Sequence, residues 1–491
     1  MENLNAKTLY RTDEKIKTST KWYFALGDIF SGGFFNIVNI YYSFFLTNVI
    51  GIDPYWAILV FVFGNILDAV TDPAMGIISD NTRTRFGRRR PYFLIGAPLV
   101  LLAFVMMWFP LSSGTEVSKV IFYIFAFVLM NTVTTIVQVP FLAMATELST
   151  DYDERTSITN IRMVVSVSAT IVCAILPHEI IKHYRDMGDV NMGYIVMSIA
   201  FGLLFTLPYL LVFFKVKERK QFSTERKSTW REMFSPMRLK IFRRFMIIYL
   251  GVILAMDVIA MIFVYFMTYN LGRYEELNFV LGALLITQVL SVPLAAWFAK
   301  KTSKIRSIII GNCIWTVFAA MIFLINEQSA FYFVYIIAAG IGCGMAFSLI
   351  GYNSVFGDVA EVGEYHFGYR TEGNLYGVQQ FIRKCLAAIA NGAVLLLLGL
   401  SGFVSPVEVV EDGIRVMVEQ PQTPVVLFTI KAIIGLVSIV LLVPSTITAI
   451  CWKLPKKNHH KLIAYLDRKR SGMEISDEET KEIDDICKPL I

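Results

Sequence analysis

The sequence predicts an all-α membrane protein of twelve transmembrane helices arranged as two six-helix halves. Three observations carry this. Of 491 residues, 55% are hydrophobic and only 17% charged, against roughly 25% charged residues in an ordinary soluble domain. Apolar stretches of about 20 residues, the length that spans a bilayer, recur along almost the whole chain. One long basic connection, 216–242, divides six of them from six. A soluble enzyme, a disordered protein and a secreted disulfide scaffold are poor readings of such a chain. The six cysteines form no CxxC pair and lie mostly inside apolar segments, as small core residues do.

Spans are expected near 22–48, 55–80, 91–111, 118–147, 158–181, 191–215, 243–270, 276–299, 307–326, 330–356, 375–400 and 424–452. The corresponding organisation is a polar tail at 1–21, a first bundle at 22–215, a central loop at 216–242, a second bundle at 243–452 and a tail at 453–491. No cleavable apolar leader is read before the first span. Arg83, Arg85 and Arg88 to Arg90 follow span two, nine cations from Lys215 to Lys240 fill the central loop, and Lys300, Lys301, Lys304 and Arg306 follow span eight. All fall on the side of the termini, so the positive-inside rule predicts cytoplasmic termini and an inner plasma-membrane location. The basic clusters lack any nucleic-acid reading module, and no obligate protein partner is inferred; the lipid bilayer is the surrounding partner.

Two echoes relate the halves: Pro73 in span two with Pro293 in span eight, and Glu147 with Arg155-Thr156 against Asp358 with Arg370-Thr371. Duplicated six-helix halves around a central cavity point to the major facilitator architecture.

Charges inside the spans carry the functional signal. A carboxylate at mid-membrane costs about 2.5–3.5 kcal/mol on insertion scales, yet span two holds both Asp68 and Asp72. Four residues apart, they project from one helix face, about 6 Å apart along the axis. Two such acids repel each other and require a bound cation, a proton or a basic partner. Oxygen ligands suit Na⁺ or Li⁺, and protonation serves equally. Thr71 and Thr135 are the candidate neighbouring hydroxyls. Lys384, roughly 15 Å into span eleven, is too deep to snorkel and should face the interior. Arg383 points about 100° away from it. Arg162 and Asp28 are candidate cavity residues, with snorkelling and helix capping as their plain alternatives; Asp257, deep in span seven, receives no role.

Other motifs carry nothing. His178-Glu179 to His183 is one residue too long for a zinc-protease helix and falls on an expected outer loop. His459-His460 reads as a solvated pair, and the tail as a cytoplasmic helix or a disordered end. No GxxxxGK[ST] phosphate loop is present.

At this point the residues resemble the glycoside–pentoside–hexuronide:cation symporters, the melibiose-permease branch of the major facilitator superfamily. The resemblance rests on Leu26-Gly27-Asp28, Asp68-Ala-Val-Thr-Asp72-Pro73-Ala-Met-Gly76 and Arg83-Thr-Arg-Phe-Gly-Arg-Arg-Arg-Pro91. Val139-Pro140-Phe141, Glu154-Arg155, Gly357-Asp358-Val-Ala-Glu361-Val-Gly-Glu364-Tyr365 and Gln379 to Lys384 complete it. It implies a non-enzymatic secondary transporter that carries a sugar or glycoside with Na⁺, Li⁺ or H⁺ by alternating access, with no cofactor beyond the coupling ion. It implies that Asp68, Asp72 and Thr135 ligate the cation, beside Thr71. Lys384 matches the lysine that couples to these acids, and Arg162 matches a sugar-pocket arginine. Gln138, Asp28, Gln380 and Arg383 are the further substrate-binding candidates. Gly32 and Gln138 stand where the branch has sugar-binding aspartates, Leu142 replaces a pocket tryptophan, and Thr71 replaces an asparagine. With two carboxylates gone and Arg162, Arg383 and Lys384 kept, the expected cavity is more positive and suits an anionic hexuronide. The alternatives are a lysolipid carrier of the same fold and, in a different class, a non-transporting membrane sensor or a polytopic membrane enzyme.

Overall fold

The computed structural model describes residues 16–491 apart from 112–113, 149–151, 219–233, 326–331, 369–371, 412–413, 419 and 471–475. The second conserved-order echo, at Arg370-Thr371, lies outside these residues. Helices occupy all twelve expected spans. Among the described residues, ten are long and apolar enough to cross a membrane. The remaining two are helical for physical reasons visible in their sequences. Span one is broken into Thr18–Ala25 and Asp28–Ile37, followed by wide π turns at Val38–Tyr42 and Phe45–Val49. Span two runs unbroken from Pro54 to Asn81. Asp53 caps it by accepting the amide of Tyr55 at 2.8 Å, and Pro54 supplies the preset first turn.

The chain divides into two compact units, one of Met1–Glu225 with Val404–Gln420 and one of Arg226–Phe403 with Pro421–Ile491. In the first, helices approach closely where side chains are missing. A Cβ on Gly32 would stand 2.3 Å from the main-chain oxygen of Ser166 in span five. Small residues are what allow such backbone contact in a membrane bundle, where apolar side chains gain nothing by leaving lipid. Aromatic side chains fill the rest: Tyr42 lies between Phe127, 5.3 Å away, and Trp108, 5.2 Å away. In the second unit, a Cβ on Gly342 would meet the Leu284 carbonyl at 2.2 Å, drawing spans eight and ten together. A buried polar chain adds direction there. Ser348 donates to Asn312 Oδ1 (2.8 Å), Asn312 donates to Ser445 (3.0 Å), and Ser445 donates to the Ile248 carbonyl (3.2 Å). Spans ten, nine, twelve and seven are thereby linked by satisfied hydrogen bonds.

The basic turn after span two is built on one carboxylate. Glu218 accepts the amides of Arg88, Arg89 and Arg90 at 2.7, 2.6 and 2.8 Å. An anion there satisfies the open amides at the start of helix Arg90–Trp108. Gly87 makes the turn with φ +116°, and a Cβ on it would strike the Glu218 carboxylate at 2.7 Å.

Three expectations are corrected. The helix of span five extends to Asp186, so His178 sits fully buried in a helix rather than on an outer loop. Span ten extends to Phe367, which puts Asp358 and Glu361 on its last turns. There His459 is no solvated residue: its Nε2 lies 2.5 Å from Glu361 and 3.3 Å from Asp358, and Lys304 pairs with Asp358 as well. The tail forms two helices, Lys456–Arg470 and Asp477–Cys487, with Leu462, Leu466 and Ile483 buried. A two-stranded antiparallel hairpin, β1 (Val407–Glu411) and β2 (Ile414–Val418), stands between spans eleven and twelve and was not expected.

Candidate functional site

The first unit gathers Asp68, Asp72, Thr71 and Thr135 at one point. The helical repeat of span two puts both acids and Thr71 on the side that packs against span four. Asp68 is 7% exposed and Thr135 only 2%. Thr135 Oγ1 lies 2.9 Å from Asp68 Oδ1 and 2.7 Å from Asp72 Oδ1. Thr71 Oγ1 is 3.5 Å from the Thr135 hydroxyl and donates to the Asp68 carbonyl at 3.2 Å. A threonine hydroxyl owns a single proton. It can donate to one of these carboxylates, leaving its lone pairs against the other. Two ionised carboxylates around one hydroxyl repel each other, and a proton or a small cation between them relieves that repulsion. The donor set consists entirely of hard oxygens.

Arg162, on span five, and Asp28, on span one, form a fork. Arg162 Nε is 2.5 Å from Asp28 Oδ2 and Nη2 is 3.0 Å from Oδ1. Its guanidinium also lies over the rings of Phe141 and Phe24, at 5.2 and 5.7 Å, and those rings stack on each other at 4.5 Å. Planar geometry, two parallel hydrogen bonds and aromatic faces are what arginine supplies and lysine does not. Asp28 is thus neither a simple cap nor a free cavity carboxylate. Gln138, on span four, donates to Ser31 at 3.2 Å and is half-buried. Gly32 leaves no space for a carboxylate side chain, since its open face is filled by the backbone of span five. Leu142 is exposed.

The second unit holds the remaining candidates. Gln380, Arg383 and Lys384 are half-buried on span eleven. Arg383 Nη2 stands 3.7 Å from Oδ1 of Asp257, a residue to which the sequence assigned no role. Tyr249 and Tyr352 meet edge to face at 5.3 Å beside this pair, and Gln379 lies one turn before Arg383. The sequence argument missed this cluster because its members come from spans seven, ten and eleven. The one available signal was an aspartate in span seven with no stated partner. Both Arg162 and Arg383 thus have carboxylates beside them, pairings that the sequence reading of a positive cavity did not include.

Comparison with known proteins places the architecture in context. The family described as MFS/sugar transport protein matches residues 23–456. The chain belongs to this family. It is a multi-pass membrane transport protein with the major facilitator fold. It is 24% identical over 435 residues to the sodium-dependent lysophosphatidylcholine symporter 1-B of Danio rerio, covering 81% of this chain and 82% of that protein. It is 26% identical over 403 residues to the isoprimeverose transporter of Lactiplantibacillus pentosus, covering 79% and 81%. Among solved structures, a bacterial homologue of the human drug peptide transporters PepT1 and PepT2 shares its fold. The TM-score is 0.63 at 12% identity, covering 89% of this chain and 98% of that one.

Proposed function

We propose that this protein is a symporter that accumulates an uncharged sugar or glycoside by alternating access, driven by Na⁺, Li⁺ or H⁺ bound at Asp68, Asp72, Thr71 and Thr135. The observation that carries the reading is the single Thr135 hydroxyl shared by the carboxylates of Asp68 and Asp72. A bound cation relieves their repulsion; its loss restores it. That difference is the free energy through which cation and substrate help each other bind. Lys384 takes the coupling role that the family resemblance gives it, as the protein's own competing cation. Substrate contacts are assigned to Gln138 and Gln380, with the Asp28–Arg162 pair shaping the wall. The similarity to the isoprimeverose transporter supports a glycoside, and the neutralised arginines support an uncharged one. The basic loops support cytoplasmic termini, and an inner plasma-membrane location is part of the same reading.

A second reading, a lysolipid carrier, is favoured by the comparable similarity to the lysophosphatidylcholine symporter. Uptake into proteoliposomes separates them. A panel of labelled glycosides and lysophosphatidylcholine is offered under imposed Na⁺, Li⁺ and pH gradients. Gradient-driven glycoside accumulation supports the proposal. Accumulation of the lysolipid alone replaces it, and gradient-independent entry of every compound removes the symporter reading.

A further inference from the structure

Span four carries a buried amide one helical turn before Thr135. Asn131 is only 7% exposed, and its Nδ2 is sealed from solvent with no hydrogen-bond partner among the described residues. Other asparagines in the spans are satisfied. Nδ2 of Asn36 donates to the Thr170 carbonyl at 3.0 Å, that of Asn270 to the Leu427 carbonyl at 2.9 Å, and that of Asn312 to Ser445 at 3.0 Å. Beside Asn131, Thr132 donates to the Val128 carbonyl and Thr134 to that of Met130, both at 2.8 Å. A buried donor left open is costly and rare in a folded protein, which points to a ligand.

Span two fixes where the amide lies. A Cβ added to Gly64 would stand 3.0 Å from Asn131 Nδ2, so the amide rests against the bare backbone of that glycine. Gly64 is four residues before Asp68, and Asn131 is four before Thr135. The two helices therefore repeat one pairing a turn apart, about 5.4 Å along the axis: Asn131 on Gly64, then Thr135 on Asp68. Helical side chains lean toward the N-terminus, which carries the Asp68 carboxylate toward the level of Gly64.

We infer that Asn131 is a further residue of the cation site, and that its amide oxygen favours Na⁺ over the smaller Li⁺. The inference rests on the cation-symporter reading above and names the ion. An amide holds donors at one end and an acceptor at the other. With the site empty, the Nδ2 end offers a donor to the ionised carboxylates. With Na⁺ bound, a half-turn presents Oδ1, a neutral hard oxygen that replaces one from the ion's hydration shell. No hydrogen bond on Nδ2 resists that turn. Ligand number and cavity size separate hard ions of different radius. Li⁺ is satisfied by the groups already gathered, Asp68, Asp72, Thr71 and Thr135. The larger Na⁺ requires more oxygens, and its wider shell reaches the next turn.

The test measures radiolabelled Na⁺ binding by the full-length purified protein, with unlabelled Li⁺ as competitor. Wild type should bind Na⁺ more tightly than Li⁺, and Asp68→Asn should bind neither. Asn131→Leu, close in volume but without the amide, should weaken Na⁺ about tenfold and Li⁺ by less than about twofold. Asn131→Asp keeps an oxygen in place and should bind Na⁺ at least as tightly as wild type. A single symmetrical elution peak reports folding, and Asn131→Ala takes the place of Asn131→Leu if leucine unfolds the protein. Unchanged Na⁺ affinity, or equal losses for Na⁺ and Li⁺, overturns the inference; the site itself stands if Asp68→Asn binds neither ion. Wild type that binds neither ion also overturns the inference and leaves H⁺ as the coupling ion. Wild-type binding of both ions by Asp68→Asn overturns the cation site and the inference together.

Discussion

Each half of the protein buries an arginine against an aspartate, yet the two halves differ in what surrounds the pair. In the first, the fork of Arg162 and Asp28 is closed and stacked on Phe141, and two further acids, Asp68 and Asp72, share one hydroxyl. In the second, Arg383 Nη2 stands 3.7 Å from Asp257 Oδ1, and the adjoining residue Lys384 adds a cation. The named groups thus lean negative in one half and positive in the other. The difference teaches a division of labour. A closed fork spends its hydrogen bonds on holding helices together. Two acids on one hydroxyl form a candidate cation site.

The largest expected effect comes from breaking the first pair. Arg162→Gln leaves Asp28 buried without its partner, a change of about 3–5 kcal/mol for a buried ion pair. Thermal stability of the purified protein should fall steeply, and the matched Asp28→Asn/Arg162→Gln protein should recover much of it. If Arg162→Gln keeps wild-type stability but loses substrate binding, the fork belongs to the ligand site and the contrast between the halves fails.

Next is the acid pair. Asp68→Asn should remove the dependence of uptake on the cation gradient and lower concentrative uptake at least a hundredfold, while some substrate exchange persists. Full gradient-driven accumulation by this variant would show that the ion binds elsewhere. Thr135 sharpens the same point. Thr135→Ser keeps the hydroxyl and should leave the cation half-saturation within about twofold, whereas Thr135→Val should raise it about tenfold, equivalent to about 1.4 kcal/mol of lost cation binding. Equal values for the two variants would assign Thr135 a packing role only.

The smallest effect lies outside both pairs. Glu218→Gln weakens the charge that closes the amides of Arg88 to Arg90 and should cost about 0.5–2 kcal/mol of stability, in the range of a lost helix cap. Transport kinetics in the surviving protein should be unchanged; an altered cation half-saturation would tie this turn to the ion site.

How much was legible varied with distance along the chain. Asp68 and Asp72 could be read as one face because a helix repeats every 3.6 residues, and Thr71 falls on the same turn. The link to Thr135 needed only a hydroxyl on a neighbouring span. Asp257 and Arg383 sit on spans seven and eleven, and no local period relates them. For the same reason, Arg162 read as a positive charge when its counter-ion was already present in span one as Asp28. His459 read as solvated because its neighbours in the tail are lysines; its partners Asp358 and Glu361 come from span ten.

The sequence alone predicted a chain of about twelve apolar helices, because burial of backbone in lipid allows few alternatives to helices of that length. It determined too that two acids share a face of span two. Which charges cancel which was decided only in the tertiary structure. Coulombic pairing falls off within a few ångströms and depends on which helix faces meet, and glycines such as Gly32 set that approach through the side chains they lack.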